Sequence, residues 1–363
     1  MKPLVPKPGI LEIKPYVSGE SRIQGIEHVI KLSSNESALG ASAEAVSAYN
    51  AVKNGLHLYP DGNAVELREA IGVQHGLDPS RIICGAGSDE LFYNLARAYA
   101  SVGDEIIYSK HGFNIYPIVA RTVGATPVVA PETSLTFNVD AVLSKVTSNT
   151  KIVFIANPNN PTGSYISENE LYRLRRDLPE DILFVVDGAY AEYVTQDDYS
   201  DGISLVDASE NTVMTRTFSK IYGLAALRIG WGYCPPSIAD VLNRLRAPFN
   251  LTVAAQHAGV AALNDTAHIS ASRCHNAVWL PWLSNRLKEL GLTVHPSVAN
   301  FILVQFSELK GKQSSDAYNF LAQHGILTRK TTGYGLPDCL RITIGREDEV
   351  KAVATMLSEF VSR

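Results

Sequence analysis

"RTFSKIYGLAALRIGW", Arg216 to Trp231, poses the problem that the rest of the chain answers. Lys220 is the only lysine between Lys151 and Lys288, and it sits among small and apolar residues. A lysine kept for solubility belongs on a charged surface, so one set in an apolar run is there for its amine. Desolvation or a neighbouring cation lowers the pKa of an amine and frees its lone pair to attack a carbonyl carbon. Arg228 lies eight residues further on, and Thr217 and Ser219 lie just before. One lysine, one arginine and two hydroxyls would neutralise a phosphate dianion and leave the lysine free to react.

Around this stretch, short β-branched runs alternate with helical patterns. "RIIC" is followed by "ELFYNLARAYA", "DEIIY" by "NIYPIVARTV" and "TPVVA" by "VDAVLSKV"; "KIVFIA", "ENELYRLRRDL", "ILFVVD", "NTVMTRT" and "LRIGWGYC" continue the series. Such alternation predicts an α/β unit with a mostly parallel sheet flanked by helices, whose ligands lie at the carboxyl ends of the strands. After Cys234 the pattern turns to long helical text, with Pro248 breaking the first helix. The strand-like runs "NFILVQF" and "CLRITIG" then alternate with helices, which predicts a smaller α+β unit. The expected division is an arm over residues 1–30, a large unit over 31–250 and a small unit over 251–363, with the arm packing on the small unit or on a partner.

The totals narrow the possibilities. A chain of 363 residues is long enough for about two domains. With 45% hydrophobic residues, 19% charged residues and a net charge of -5, it has no basic field for nucleic acid or an anionic membrane. Cys84, Cys234, Cys274 and Cys339 are far apart, with no C-x-x-C pair, and are expected to be buried reduced thiols. No metal site is expected. The N-terminus has no uninterrupted apolar stretch and no run approaches a membrane span, so a soluble, cytoplasmic protein is expected.

Three strand ends carry chemistry. "ILFVVDGAYAEY" ends an apolar strand on Asp187, with Tyr190 three residues on. A buried carboxylate is costly unless paired, so Asp187 either caps a turn or faces a positive group on a ligand. "IICGAGSDELF" turns through Gly85 and Gly87 into a helix opening with Ser88 and Asp89, a natural anion cradle. Glu90 stands where a dinucleotide fingerprint needs its third glycine, and the chain has no P-loop, so a nicotinamide dehydrogenase is poorly supported. "IANPNNPTG" follows a third strand with Asn157 and two Asn-Pro steps, either turn chemistry or a ligand-positioning loop.

A phosphate cradle, a buried acid, an asparagine and a tyrosine for a phenolic oxygen, and an isolated lysine are together the demands of pyridoxal 5'-phosphate. Lys220 would hold its aldehyde, Asp187 would keep the ring nitrogen protonated, and Asn157 and Tyr190 would bond the ring oxygen. Here the sequence resembles the fold-type-I aminotransferases, and within them the histidinol-phosphate branch. The resemblance runs through "IKPYVSGES", "KLSSNESALG", "YPDG", "GAGSDELF", "NPNNPTG", "VVDGAYAEY", "TFSKIYGLAALRIGW", "RAPFNLTVAAQHAGVAAL" and "LRITIG", nearly the whole chain.

The resemblance implies the pyridoxal-phosphate-dependent transferase fold of type I and a role for each matching residue. Lys220 carries the cofactor and becomes the base that moves a proton at the substrate carbon. Gly87, Ser88, Asp89, Thr217, Ser219 and Arg228 lie at the phosphate end. Phe113 in "HGFNIY" stands against the ring face, with a core phenylalanine as the competing reading. Tyr59 of "YPDG" reaches the phosphate of the neighbouring subunit, which implies a homodimer with shared active sites. Arg341 in "CLRITIG" grips a substrate carboxylate, and Arg329, with Tyr16 and Asn35, matches positions for the distal anion. The implied reaction passes an amino group from histidinol phosphate to 2-oxoglutarate, giving glutamate by a ping-pong route.

Two departures touch substrate choice. Ser37 and Ala38 stand where the resembling sequences continue Asn-Pro, and Arg346 stands where threonine is frequent. An aromatic amino-acid aminotransferase of the same branch, or a threonine-phosphate decarboxylase using the same lysine, aspartate and arginines, fits the same motifs. A regulatory cofactor-binding domain would need an attached DNA-binding module, for which the pattern leaves no room.

Overall fold

The computed structural model describes residues 4–363, so the first three residues of the expected arm lie outside it. After a short 3-10 turn at Ile10–Glu12 in the arm, the strand Ile30–Lys31 (β1) is followed by helices Ala43–Ala51 (α1) and Val65–His75 (α2). The α/β series comprises Ile82–Ala86 (β2), Ser88–Tyr99 (α3), Glu105–Ser109 (β3), Ile115–Thr122 (α4), Thr126–Ala130 (β4), Val139–Leu143 (α5) and Thr150–Ala156 (β5). It continues through Glu168–Asp177 (α6), Leu183–Asp187 (β6), Ile203–Asp207 (α7), Thr212–Thr217 (β7) and Ile229–Tyr233 (β8).

These seven strands, β2 to β8, form one sheet in the order β2-β8-β7-β6-β5-β3-β4. All of its pairings are parallel except the two that β8 makes. Every residue of β6, β7 and β8 is buried, as expected for strands covered on both faces. Because β8 runs against both neighbours, β2 is parallel to β7. The carboxyl ends of β2, β5, β6 and β7 therefore share one edge of the sheet. That edge leads into Gly87, Asn157, Gly188 and Phe218.

Three helices follow: Pro236–Leu245 (α8), Val253–Asn264 (α9) and Thr266–Glu289 (α10). Pro248 lies in the break after α8. The Thr252 and Asp265 side chains cap α9 and α10 by accepting from the N–H groups of Ala255 and His268. The remaining elements are Thr293–His295 (β9), Phe301–Gln305 (β10), Ser314–Gln323 (α11), Ile326–Leu327 (β11), Arg329–Lys330 (β12), Cys339–Thr343 (β13) and Glu347–Ser362 (α12). β12, β13, β10 and β9 form an antiparallel sheet, while β1 pairs in parallel with β11.

Two cores lie on either side of α10. Leu251, Ala255, Ala258 and Ile269 pack with Leu67, Ile221, Ile229 and Trp231, on the large-sheet side. Leu283 and Leu287, further along α10, pack with Ile302, Ile342 and α12. We therefore propose that the division expected at residue 250 falls inside α10, since α9 buries its small residues against the large unit. The arm touches both sides: Arg329 donates to the Val17 carbonyl at 2.7 Å, and Glu12 lies 3.7 Å from Arg121 of α4. Cys84, Cys234 and Cys339 are buried free thiols, whereas Cys274, expected to be buried, is exposed on the outer face of α10. Among the described residues no helix is long and apolar enough to cross a membrane.

Alternation along β13 sorts its residues between two environments. Leu340, Ile342 and Ile344 belong to the small-sheet core, while Arg341 and Thr343 project from the opposite face beside their β10 partners Leu303 and Phe301. Phe301 meets Tyr190 edge to face at 5.2 Å, so this second face is the one set against the large unit. The sheet edge of one unit and the polar face of the other thereby share a cavity.

Gly230 sets how closely α3 can begin. A Cβ there would fall 2.1 Å from the Ser88 nitrogen and 2.4 Å from the Gly87 carbonyl carbon. Gly230→Ala is expected to lose about 1–3 kcal/mol of stability by overpacking against backbone. The measurement is the denaturant midpoint, and an unchanged midpoint would show that α3 can shift freely.

Candidate active site

The cavity between the units, of about 260 Å³, is lined by Lys220, Asp187, Tyr190, Phe113, Ser88, Asp89, Thr217, Ser219, Arg228, Arg329, Arg341, Tyr16 and Asn35. A second cavity of about 540 Å³ opens beside it under the arm, sharing Tyr16, Ser18, Gly19 and Arg329. Most of the residues singled out in the sequence thus meet at one place.

Lys220 donates to the Ser34 carbonyl at 3.1 Å, and its Nζ lies 5.7 Å from the centroid of the Tyr190 ring. Burial pushes its pKa down to about 8, assisted by the positive charges of Arg341 and Arg228 and opposed by Glu36 and Asp89. Its hydrogen-bond partner is a neutral carbonyl, which leaves the amine free to exist unprotonated.

Asp187, at the end of β6, accepts from the Tyr116 hydroxyl at 2.8 Å and from the Ala189 N–H at 3.1 Å. Burial raises its carboxyl to about 6, while the bond from Tyr116 is the first influence drawing it down. Both hydrogen-bond partners are neutral, so this buried carboxylate has room for a positive partner from a ligand. Tyr116 did not stand out in the sequence. Its place three residues after Phe113, in the first turn of a helix, was the only available signal. Its ring stacks on Phe154 at 4.7 Å and meets Phe113 edge-on at 5.9 Å, so Phe113 both lines the cavity and packs on the core.

At the other end, Gly87 has φ 78 and precedes the first turn of α3, whose initial N–H groups have no intrahelical partners. A Cβ on Gly87 would lie 2.3 Å from Arg228 Nη2, so only glycine lets the guanidinium close over this helix start. Arg228 Nη1 donates to Ser219 Oγ at 3.2 Å, and Nη2 lies 3.4 Å from Asp89 Oδ2. Asp89 was expected to bind the phosphate, but its carboxylate cannot donate to an anion. Its contribution would be its backbone N–H, while its side chain holds Arg228.

Two assignments from the sequence change. Asn157 does not line the cavity: its amide oxygen accepts from the Ile166 N–H at 3.0 Å, and its nitrogen faces the Ile166 and Ser200 carbonyls. Its backbone N–H bonds the Asp187 carbonyl at 2.9 Å, which continues the strand and directs the side chain elsewhere. Asn160, three residues later, reaches the cavity and accepts from Arg341 Nη1. Asn35, expected beside the distal anion, donates its amide to the Tyr190 hydroxyl at 2.9 Å.

Arg341 is 4% exposed; its Nη2 donates to the Ser33 carbonyl at 2.7 Å, and its Nε is buried without a partner. Arg329 lies over the Tyr16 ring at 6.0 Å. Tyr59 is 81% exposed, is stacked on Phe249 at 4.5 Å, and does not reach the cavity of its own chain. Among the described residues no group of three or more His, Cys, Asp or Glu could hold a metal ion.

The donor set fits pyridoxal 5'-phosphate. A cradle that a Cβ would fill suits a phosphate, a buried carboxylate with neutral partners suits a protonated ring nitrogen, and a buried amine of lowered pKa lines the same cavity.

Comparison with known proteins agrees with this geometry. The family "Aminotransferase class I and II" matches residues 27–357. The histidinol-phosphate aminotransferase of Paramagnetospirillum magneticum is 57% identical over 356 residues, covering 98% of each chain. That of Rhodospirillum centenum is 53% identical over 357 residues, also covering 98% of each. The crystal structure of histidinol-phosphate aminotransferase from Sinorhizobium meliloti in complex with pyridoxal-5'-phosphate superposes with a TM-score of 0.87 at 26% identity, covering 93% of this chain and 92% of that one.

The lowered pKa makes Lys220 measurable in the cofactor-free protein. Only the unprotonated amine attacks an aldehyde, so its rate of capturing pyridoxal phosphate is expected to rise with pH through a midpoint of about 8. Arg341→Gln removes a nearby positive charge and moves that midpoint up. Stopped-flow absorbance between pH 6 and pH 11 checks both, and a wild-type midpoint near the ordinary lysine value of ~10.4 would contradict the burial argument.

Proposed function

The chain belongs to the class I and II aminotransferases, and from that premise we propose that it moves an amino group between L-histidinol phosphate and 2-oxoglutarate, using pyridoxal 5'-phosphate. The observation that carries this reading is the pair of guanidinium groups, Arg329 and Arg341, on the walls of the cavity that holds Lys220. Histidinol phosphate has a phosphate and no carboxylate, whereas glutamate has two carboxylates, and one pocket must take each in turn. Two cations with planar donor forks can hold either kind of anion. The curated relatives at 53% and 57% identity support the same substrates and a place in histidine biosynthesis.

When bound, the cofactor supplies an aldehyde that takes the amino group and a protonated ring that stabilises negative charge on the neighbouring carbon. The Gly87–Ser88 turn, Thr217, Ser219 and Arg228 would hold its phosphate, and Asp187, kept in place by Tyr116 and Ala189, would keep its ring nitrogen protonated. Asn160 and Tyr190 would face its ring oxygen, and Phe113 its face. Lys220 would hold the aldehyde end of the cofactor, and its amine, when free, would be the base that moves the proton at the substrate carbon. Its pKa of about 8 lets it both accept and return a proton near neutrality. The arm, pinned by Arg329, would cover the outer side and limit water.

We infer a homodimer from the aromatic pair Tyr59 and Phe249. Leu56, Leu58 and Tyr59 are 73%, 65% and 81% exposed, and Phe249 is held at φ 57, a conformation that disfavours bulky residues. A second copy would cover this apolar face and bring Tyr59 to its partner's phosphate end. Buried free thiols and small soluble substrates support a cytoplasmic location.

Mixing the yellow protein separately with histidinol phosphate, tyrosine and glutamate, with no acceptor present, tests the substrate. Conversion to the amino form of the cofactor is expected at low histidinol phosphate and glutamate and only at high tyrosine. Preference for tyrosine would make this an aromatic aminotransferase, and release of carbon dioxide a decarboxylase. Arg329→Gln is expected to raise KM for histidinol phosphate roughly 10–100-fold, the worth of a charged hydrogen bond. Tyr59→Ala should weaken both cofactor retention and the dimer seen in sedimentation; a wild-type monomer that retains cofactor tightly would overturn the shared site.

A further inference from the structure

Asn35 combines burial, an unusual backbone and a fixed chain of hydrogen bonds. It is 1% exposed and has φ 57, a left-handed conformation that asparagine tolerates better than most residues. Its backbone N–H donates to Thr343 Oγ1 at 2.9 Å, and its carbonyl accepts from Asn300 Nδ2 at 3.2 Å.

Proton counting then orders the chain. Thr343 Oγ1 accepts from the Asn35 N–H, and its single hydrogen goes to Asn35 Oδ1, 3.0 Å away. That fixes the amide: the oxygen faces Thr343 and the nitrogen faces the Tyr190 hydroxyl at 2.9 Å. Turned the other way, the amide would leave the hydrogen of Thr343 without an acceptor in a buried place, which native structures avoid. An amide nitrogen only donates, so the Tyr190 oxygen accepts there and its own hydrogen must point elsewhere. Tyr190 lines the same cavity as Lys220 and Asp187.

We propose that Asn35 and Thr343 are positioning residues that make Tyr190 a one-way hydrogen-bond donor into the cavity, toward an anionic ring oxygen of the bound cofactor. The proposal rests on reading the cavity as the pyridoxal-phosphate site. It assigns Asn35 a role different from substrate binding, and it gives Thr343, two residues beyond Arg341, a share in the chemistry.

The readout is spectroscopic. A donor from Tyr190 favours the ring oxygen in its ionised form, so losing that orientation raises the pH midpoint of the bound cofactor's visible absorbance. Arg341, Tyr334, Asp187 and Lys220 also face Tyr190 and act on its charge, so the test compares variants that leave all four in place. Thr343→Val removes the ordering hydroxyl without changing charge. Asn35→Asp keeps the shape but puts an acceptor where the donor was, turning the hydrogen of Tyr190 back on itself.

Wild-type protein is loaded with cofactor and titrated first, and no visible band there would mean that the cofactor reading has failed. Given the band, each variant is expected to raise the midpoint by about one pH unit and to lower kcat with little change in KM for glutamate. In a Tyr190→Phe background Thr343→Val should not shift the midpoint further, whereas Asn35→Asp still can, through its added negative charge. An unchanged midpoint in folded, loaded Thr343→Val protein overturns the proposal, as does an equal shift with and without the Tyr190 hydroxyl. Should Asn35→Asp not fold, Thr343→Val alone decides.

Discussion

A buried amine that must lose its proton near neutral pH cannot be given a carboxylate partner, and the site is arranged around that restriction. A carboxylate in contact with Lys220 would hold it charged, while no partner at all would leave a buried ammonium unsatisfied. The chain offers a backbone carbonyl instead, Ser34 O at 3.1 Å, with Arg341 and Arg228 nearby to make the charged form less favourable. The stretch from Ser33 to Asn35 performs this service for several groups in succession. Ser33 O takes Arg341, Ser34 O takes Lys220, and the Asn35 side chain takes Tyr190. A short bent segment, turned at Asn35 by its left-handed backbone, can do this because successive carbonyls and side chains leave it in different directions.

The same economy of charge governs the acid. Asp187 is kept from any direct cation and satisfied by a phenol and a backbone N–H. Nearby, by contrast, Arg216 is fully committed. It sits between Glu192, at 2.9 Å, and Asp201, with Arg216 and Glu192 almost wholly buried, and Gly188 lets it pass within van der Waals distance of the β6 turn. Breaking one side of such a buried pair leaves an uncompensated charge, so the network fixes the turn between Asp187 and Tyr190 against β7. One buried charge cluster is closed and structural; the other is left open to a ligand.

The central strands of the large sheet were legible because they are buried on both faces and so appear as uninterrupted β-branched runs, and Lys220 was legible because it is a lone lysine among small and apolar residues just beyond β7. Arg341 was visible for the same reason, as a charge in an apolar strand. Other residues escaped because their signals were not local. Tyr116 is an aromatic residue in a core helix until β6 brings Asp187 against its hydroxyl, and Thr343 is an ordinary strand threonine until Asn35 arrives from 308 residues away. The two Asn-Pro steps look alike in sequence, yet only the second asparagine reaches the cavity, since Asn157 still follows the hydrogen bonding of the strand. The boundary that we propose inside α10 had no local signal, because α9 is rich in alanine, a composition that signals close helix packing without naming the partner.

The residues that act together come from opposite ends of the chain and from both sheets, and this ties chemistry to docking of the two units. Tyr190 belongs to the large unit, Thr343 and Arg341 to the small sheet, and Asn35 to the segment that joins β1 to α1. Two shared hydrogen bonds, Asn35 to Tyr190 and Arg341 to Asn160, cross between them, and Phe301 packs on the Tyr190 ring. Separating the units would expose two buried guanidinium contacts and a phenol at once. Because these contacts are polar and directional, a small rotation between the units would change the donor geometry at Tyr190 and the grip of Arg341 together. On the proposed roles, substrate carboxylate binding and the electronic setting of the ring oxygen would be linked by position on one strand, since Arg341 and Thr343 project from the same face.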